Sequence, residues 1–289
     1  MRLDDEREST NFEIQDGRGG LGSGLGGGLG LLLPLIGSRF GCGGIVVVLI
    51  IMAVMGVNPL SLMGGGGQMP QGGEVSRDSS RLSDVQHWSL KVLGSTERVW
   101  GSLFQQAGQQ YQPTVLSFYS QNGSSGCGAA QSAMGPFYCP NDRKVYLDTD
   151  FFTELRQRFG APGDFAQAYV IAHEVGHHVQ DLEGTLGEVN QKQRAVSEAQ
   201  GNALQVRVEL QADCYAGVWA KRTGLMEPGD LEEGMKAAQA IGDDTLQKAA
   251  GRRPVPESFT HGTSEQRMTW LRKGLDSGDP AQCDTFKGA

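Results

Sequence analysis

Near the middle of the chain the sequence runs Ala172-His173-Glu174-Val175-Gly176-His177-His178-Val179-Gln180. Two of its histidines, His173 and His177, are four residues apart, so on a helix both imidazoles leave the same face. Such a pair offers two nitrogens at the separation that a tetrahedral zinc ion requires. Glu174 can reach a metal-bound water from its place beside His173, which completes a His-Glu-x-x-His pattern. The stretch therefore predicts a helix that carries two zinc ligands and a general base.

A later segment, Glu209-Leu210-Gln211-Ala212-Asp213, places two carboxylates four residues apart on one helix face. Its neighbours are mostly apolar, which indicates a buried helix, and buried carboxylates need partners. We expect Glu209 to be the third zinc ligand. Asp213 is then placed to accept the second ring N–H of a histidine ligand. Considered without the histidines, the same two carboxylates fit an ordinary solvated acidic face.

Glycine and proline divide the C-terminal part into helices and a few strands, which predicts an α+β fold with helices dominant. The expected strands cover 114–119, 137–139 and 144–148, and the expected helices cover 81–108 with a break at Gly94-Ser95, 151–158, 162–182, 188–222, 228–250 and 263–274. The strand over 144–147 is expected to lie along the cleft rim and pair with an extended substrate, as edge strands do.

Composition changes abruptly near residue 75, since 20 of the 43 glycines lie in the first 73 residues. No charged residue occurs between Arg39 and Glu74, and a mostly apolar span of this length can cross a bilayer as a helix. We expect a charged, glycine-rich and solvated tail over 1–39, a transmembrane helix over 40–60, a Gly/Pro-rich linker over 61–80 and a zinc domain over 81–289. A buried core segment or a cleaved signal peptide is the alternative for the apolar run.

Basic residues predict the orientation of that span. Four arginines precede it, and the nearest ones after it are Arg77 and Arg81. We therefore expect a single-pass protein of the plasma (inner) membrane, with a cytoplasmic N-terminus and an extracytoplasmic or periplasmic C-terminal domain. The bilayer contact is assigned to residues 40–60. A net charge of −8 argues against a nucleic-acid partner, which requires a basic surface.

Four cysteines lie in the C-terminal part, and four cysteines allow three pairings. We expect Cys127–Cys139, because these residues flank a loop, and Cys214–Cys283, because a bridge there holds the C-terminal tail. An even number fits an oxidising compartment. Four unrelated buried thiols are the alternative.

The chain resembles the "putative neutral zinc metallopeptidase" family of bacterial membrane proteins, and its zinc motifs are similar to those of the gluzincin metallopeptidases. The resemblance is carried by the two motifs above, by the charged and glycine-rich N-terminus with one apolar span, and by Phe259-Thr260-His261-Gly262-Thr263-Ser264-Glu265-Gln266-Arg267. It implies a zincin-like metallopeptidase domain that binds one Zn²⁺ through His173, His177 and Glu209, with Glu174 as the catalytic base.

Such a site predicts hydrolysis of peptide bonds in proteins or peptides outside the membrane, by a zinc-activated water. His261, in a polar loop, is the candidate for stabilising the oxyanion, and Tyr215 and Tyr146 are weaker candidates. A capping role is the alternative for His261. Two other functions remain open: a non-catalytic anchored domain that binds zinc for partner recognition, and hydrolysis of a non-peptide amide such as a cell-wall bond.

Overall fold

A computed structural model describes residues 1–15, 75–157, 160–161 and 163–287. The strands are β1 (Phe12–Gln15), β2 (Val75–Ser76), β3 (Val115–Tyr119), β4 (Asn122–Ser125), β5 (Gly128–Gln131), β6 (Phe137–Cys139) and β7 (Lys144–Asp148). The helices are α1 (Asp84–Gln106), α2 (Asp150–Gln157), α3 (Asp164–Leu182), α4 (Thr185–Gln193), α5 (Glu198–Thr223), α6 (Asp230–Ala240), α7 (Asp243–Ala249) and α8 (Ser264–Ser277). The predicted helix-dominated α+β class is confirmed.

Five strands form one mixed sheet in the order β2-β1-β3-β7-β6. β3 pairs in parallel with β1 and β7, whereas β2 and β6 are antiparallel to their neighbours. The prediction that the strand over 144–147 offers a free edge is wrong, because β7 is hydrogen-bonded on both sides. β6 is the edge strand on that side of the sheet.

The first fifteen residues belong to the folded domain, which differs from the solvated tail predicted for 1–39. Met1, Leu3 and Phe12 are buried in the main hydrophobic core, and β1 lies inside the sheet. Glu13 is buried and forms an ion pair with Lys144 at 2.8 Å. Charge density alone suggested a tail, since the strands and the helix that this segment contacts lie far away in the chain.

The same segment explains why α1 is continuous, although a break was predicted at Gly94-Ser95. The backbone N–H of Ser9 donates to the carbonyl of Leu90 at 2.9 Å, so the N-terminal chain lies directly on this helix. A Cβ atom at Gly94 would clash with the carbonyl of Arg7. Glycine is therefore required here for close packing and does not end the helix.

Two other predicted helices are interrupted. The stretch 188–222 divides because Ser197 caps α5, where the Ser197 side chain accepts from the backbone of Gln200 and the Gln200 side chain accepts in return. The stretch 228–250 divides at Gly242, after which α7 begins with Asp243. The second break matters for the site, because it places Asp243 at a helix start.

Both predicted disulfides are present, with Cα–Cα distances of 5.8 Å for Cys127–Cys139 and 5.6 Å for Cys214–Cys283. The predicted membrane helix over 40–60 lies outside the described residues. Within the described ranges, no helix combines the length and apolar character needed to cross a bilayer. The predicted linker over 61–80 is structured at its end, where β2 pairs with β1.

Candidate metal centre

Helices α3 and α5 approach closely where the predicted ligands lie. A Cβ atom at Gly176 would lie 3.0 Å from the carbonyl oxygen of Ala212 and 3.1 Å from its Cα. The glycine between the two histidines therefore allows backbone contact between the helices. This contact brings His173 and His177 of α3 opposite Glu209 and Asp213 of α5, as the sequence predicted.

The three predicted ligands converge on one point. Oε2 of Glu209 lies 3.2 Å from Nε2 of His173 and 3.6 Å from Nε2 of His177, and one ligand atom from each residue lies within 4.8 Å of the others. Zinc–ligand bonds of about 2.0–2.1 Å at tetrahedral angles separate neighbouring ligand atoms by ~3.3 Å. The donor set and its spacing therefore fit a zinc ion, with a fourth position left for water.

The charges of the three predicted ligands are complementary before any metal binds. Burial lowers the pKa of His173, but Asp213 and Glu209 outweigh it and raise that pKa to about 9. Burial would raise the pKa of Glu209, but the nearby imidazoles hold it well below its usual range. A divalent cation would take the place of the proton that this raised pKa keeps on His173, so metal binding should release a proton.

Asp213 holds His173 in the orientation that a ligand needs. Nδ1 of His173 donates to Oδ1 of Asp213 at 2.8 Å, and the hydroxyl of Tyr169 donates to the same oxygen at 2.6 Å. Arg267 binds both carboxylate oxygens, at 2.8 and 2.9 Å. Burial opposes ionisation of Asp213, yet Arg267 and His173 lower its pKa to about 2. The carboxylate is thus ionised at neutral pH and directs Nε2 of His173 towards the metal position.

Glu174 occupies the turn between the two histidine ligands and is 7% exposed. Burial raises the pKa of this carboxyl, although the histidines on either side oppose that effect. A carboxylate with a raised pKa is a better proton acceptor near neutral pH. Its place on α3 fits the role of general base that the sequence predicted.

His261 lies in the loop before α8, which rests on α5 beside the ligand Glu209. A Cβ atom at Gly262 would lie 3.1 Å from Val206 and 3.4 Å from Leu210. Asp243 holds this loop, accepting from the backbone N–H groups of Thr260, His261 and Gly262 at 2.7, 2.6 and 3.0 Å. Nδ1 of His261 also lies 3.2 Å from Oδ1 of Asp243.

The His261 side chain is 40% exposed, so it is open to solvent at the edge of the metal centre. Burial lowers the pKa of its imidazole, but Asp243 and Glu209 outweigh that effect and raise it. A protonated imidazole can donate to an oxyanion. The assignment of His261 to the oxyanion stays a prediction.

The two weaker candidates, Tyr215 and Tyr146, and the third histidine of the motif have structural partners instead. His178 is buried, its Nδ1 lies 3.1 Å from the hydroxyl oxygen of Tyr138, and its Nε2 donates to the carbonyl of Gln112 at 2.6 Å. The hydroxyl of Tyr215 donates to Glu183 at 2.7 Å. The hydroxyl of Tyr146 donates to Asp142 at 2.6 Å. These side chains join structural elements and have no contact with the three ligands.

Sequence reasoning missed two residues of the centre. Arg267 was assigned only to the last helix, yet it is 2% exposed and binds Asp213. Asp243 was placed within the predicted helix 228–250, yet it is 8% exposed and anchors the His261 loop. The available signal was an arginine on the apolar face of α8 and an aspartate after a helix-breaking glycine.

Comparison with known proteins supports this description. The family model described as "Putative neutral zinc metallopeptidase" matches residues 1–286. "Uncharacterized protein YpfJ" of Escherichia coli (strain K12) is 46% identical over 295 residues, covering 99% of each chain. "Uncharacterized protein Rv2575" of Mycobacterium tuberculosis (strain ATCC 25618 / H37Rv) is 43% identical over 227 residues, covering 73% of each chain. No solved structure matches this chain. On this match, and on the metal centre that accompanies it, the chain belongs to the putative neutral zinc metallopeptidase family.

Proposed function

We propose that this protein is a zinc-dependent endopeptidase, which hydrolyses peptide bonds of extracytoplasmic proteins or peptides at a membrane that it contacts through residues 40–60. The observation that carries the proposal is the convergence of His173, His177 and Glu209 beside the carboxylate of Glu174. A purely structural zinc site has four protein ligands and no use for such a carboxylate.

Zinc bound here would polarise the scissile carbonyl and lower the pKa of a bound water to ~7. The chain supplies the remaining groups. Glu174 would take the proton from the attacking water and pass it to the leaving amine. His261, held by Asp243, would donate a hydrogen bond to the developing oxyanion. Asp213 and Arg267 keep His173 oriented throughout.

The extracytoplasmic placement is supported by the two disulfides, since such bonds persist in oxidising compartments. Cys127–Cys139 joins the β4–β5 hairpin to β6, and Cys214–Cys283 joins α5 to the C-terminal segment. A reducing compartment would not maintain either bridge.

The decisive experiment is Glu174→Gln in the full-length protein, with Glu183→Gln as the matched control. Both are glutamates of the same helical region with pKa values raised by burial, but Glu183 binds Tyr215 and is no part of the metal centre. Cleavage of an unfolded protein substrate and zinc per chain are measured together.

We expect Glu174→Gln to keep one zinc and to lose about 10²–10⁴-fold in turnover, with Glu183→Gln like the parent. Full activity in Glu174→Gln would overturn the mechanism. One zinc per chain with no hydrolysis of any peptide by the parent would favour the non-catalytic zinc-binding domain. Hydrolysis of a cell-wall amide but no peptide would change the substrate class.

A further inference from the structure

The second histidine ligand has a supporting network of its own. Nδ1 of His177 lies 2.8 Å from Oε1 of Gln180, and Gln180 is fully buried. We propose that Gln180, held in place by Gln211, is a positioning residue that sets the tautomer of His177 for zinc binding. This inference rests on the zinc site of the proposed function.

The direction of each hydrogen bond in this network is fixed by backbone carbonyls. The carbonyl of Val208 can only accept, so the group of Gln180 that lies 2.8 Å from it is the NH₂. The same NH₂ donates to Oε1 of Gln211 at 2.9 Å. Nε2 of Gln211 in turn donates to the carbonyl of Cys283 at 3.2 Å. Both amides are therefore held in one orientation.

That orientation leaves Oε1 of Gln180 facing His177. An amide oxygen only accepts, so Nδ1 of His177 must carry a proton, and in the neutral imidazole that a metal requires Nε2 carries the lone pair. Nε2 is the atom that lies 3.6 Å from Glu209, at the metal position. Asp213 likewise accepts from Nδ1 of His173 and so directs Nε2 of that residue to the metal position. The Cys214–Cys283 disulfide holds the carbonyl at the far end of the network.

The test is the zinc affinity of the full-length chain in competition with a chelator. Loss of an outer hydrogen-bond partner of a ligand typically costs 10–100-fold in metal affinity, and we expect a loss of that size for Gln180→Met. Gln211→Met should lose less, because Val208 still holds Gln180. Gln106→Met is the control, since its amide donates to Ser102 of the same helix and belongs to neither of the networks behind the histidine ligands.

A second readout distinguishes positioning from packing. In the zinc-loaded parent, both Nδ1 protons are buried in hydrogen bonds and should exchange slowly with solvent in nitrogen-15-edited NMR. In Gln180→Met, the His177 signal should exchange rapidly while the His173 signal, held by Asp213, is retained as an internal reference.

Parent-like zinc affinity in Gln180→Met, or a protected His177 proton in that variant, would overturn the inference. If Gln180→Met does not fold, the same two measurements on Gln211→Met decide, and unchanged values reject the network. Absence of zinc from the parent would reject the proposed function together with this inference.

A different observation carries a second inference, about membrane topology. β1 is flanked by β2 and β3, with Ile14 opposite both Ser76 and Phe118. Neighbouring strands are about 4.8 Å apart, whereas the hydrocarbon core of a bilayer is about 30 Å thick. We infer that residues 1–15 lie on the same side of the membrane as residues 75–287.

This inference departs from the single-pass arrangement that the sequence predicted, in which the N-terminus is cytoplasmic and the domain is extracytoplasmic. That prediction counted arginines on the N-terminal side of the apolar span. Arg7 is one of them, and it lies 3.5 Å from Glu97 of α1, within the folded domain. The positive charge of Arg7 is therefore part of an ion pair within the domain and gives no indication of a cytoplasmic tail.

The test compares two exposed positions in otherwise full-length Cys42→Ser protein in cells. Asp5→Cys reports on the N-terminal segment, and Thr269→Cys reports on α8. Each cysteine is labelled with a membrane-impermeant maleimide in intact cells and again after permeabilisation. The measured quantity is the labelling in intact cells divided by the labelling in permeabilised cells. Equal fractions support the inference, and their size tells which compartment holds the domain. A labelled Thr269→Cys with an unlabelled Asp5→Cys, or the reverse, would overturn it.

Discussion

The Asp213–Arg267 pair offers the sharpest test of how the metal centre is held together. Both side chains are almost completely buried, at 0% and 2% exposure, and share two hydrogen bonds of 2.8 and 2.9 Å. Removing one partner of such a pair leaves the other as an uncompensated buried charge, which costs about 3–5 kcal/mol of folding free energy. We expect Asp213→Asn and Arg267→Met each to lose that amount.

For a domain of this size, 1 kcal/mol corresponds to about 2–4 °C in Tm. Each single variant should therefore melt about 6–20 °C below the parent. The measurement is thermal or urea unfolding of the disulfide-intact protein in excess chelator. Chelator is essential, because zinc bound to the native state would add its own stabilisation and obscure the comparison.

The double variant Asp213→Asn/Arg267→Met removes both charges together. If the losses arise from unpaired charge, the double variant should be more stable than the sum of the two single losses predicts, by at least 1 kcal/mol. Additive losses within about 0.5 kcal/mol would refute the reasoning. In that case the two residues would contribute through packing alone, and the charge of Asp213 would not orient His173.

Three further predictions follow from other parts of the fold. Gly94→Ala should destabilise the protein by at least ~2 kcal/mol, because its Cβ would clash with the carbonyl of Arg7. Gly101→Ala lies on the same helix with open space around it, and it should stabilise the protein by about 0.5–1 kcal/mol. Equal urea midpoints of the two variants would contradict this prediction. Asp243 raises the pKa of His261, so activity that needs the protonated imidazole should be lost at lower pH in Asp243→Asn than in the parent; an unshifted alkaline limb of the kcat profile would remove His261 from the reaction. The pKa of Asp213 is lowered to about 2, so its contribution of about 2 kcal/mol to the free energy of unfolding is complete above pH ~4 and is lost as pH falls towards 2. This contribution is measured from the unfolding free energy of the parent and of Asp213→Asn, both in excess chelator, as pH is lowered. An identical pH dependence of the two proteins would disprove it.

The metal ligands could be predicted from sequence because their geometry is local. His173 and His177 share a helix face by spacing alone, and Glu209 with Asp213 repeats that spacing on a second helix. Cys127–Cys139 followed from the loop that its cysteines flank, whereas Cys214–Cys283, 69 residues apart, followed from the expectation that a bridge holds the C-terminal tail. The residues that complete the centre were not predictable in this way, because Arg267 and Asp243 act across contacts between separate helices.

The N-terminal segment shows the same limit for the fold. Its charges suggested solvent exposure, and Gly94 suggested a helix break. Each interpretation failed because the two features explain one another: Gly94 is small so that the backbone of Arg7 can lie on α1. A pattern read within one window cannot show a contact whose two sides are far apart in sequence.

The support of the metal centre comes largely from the part of the chain that carries no ligand. Arg267 fixes Asp213 behind His173, the carbonyl of Cys283 fixes Gln211 behind His177, and Asp243 fixes the loop of His261. A chain ending before Asp243 would keep all three ligands and lose each of these contacts. Zinc affinity in this protein should therefore depend on α8 and on the Cys214–Cys283 disulfide as well as on the motif that first reveals the site.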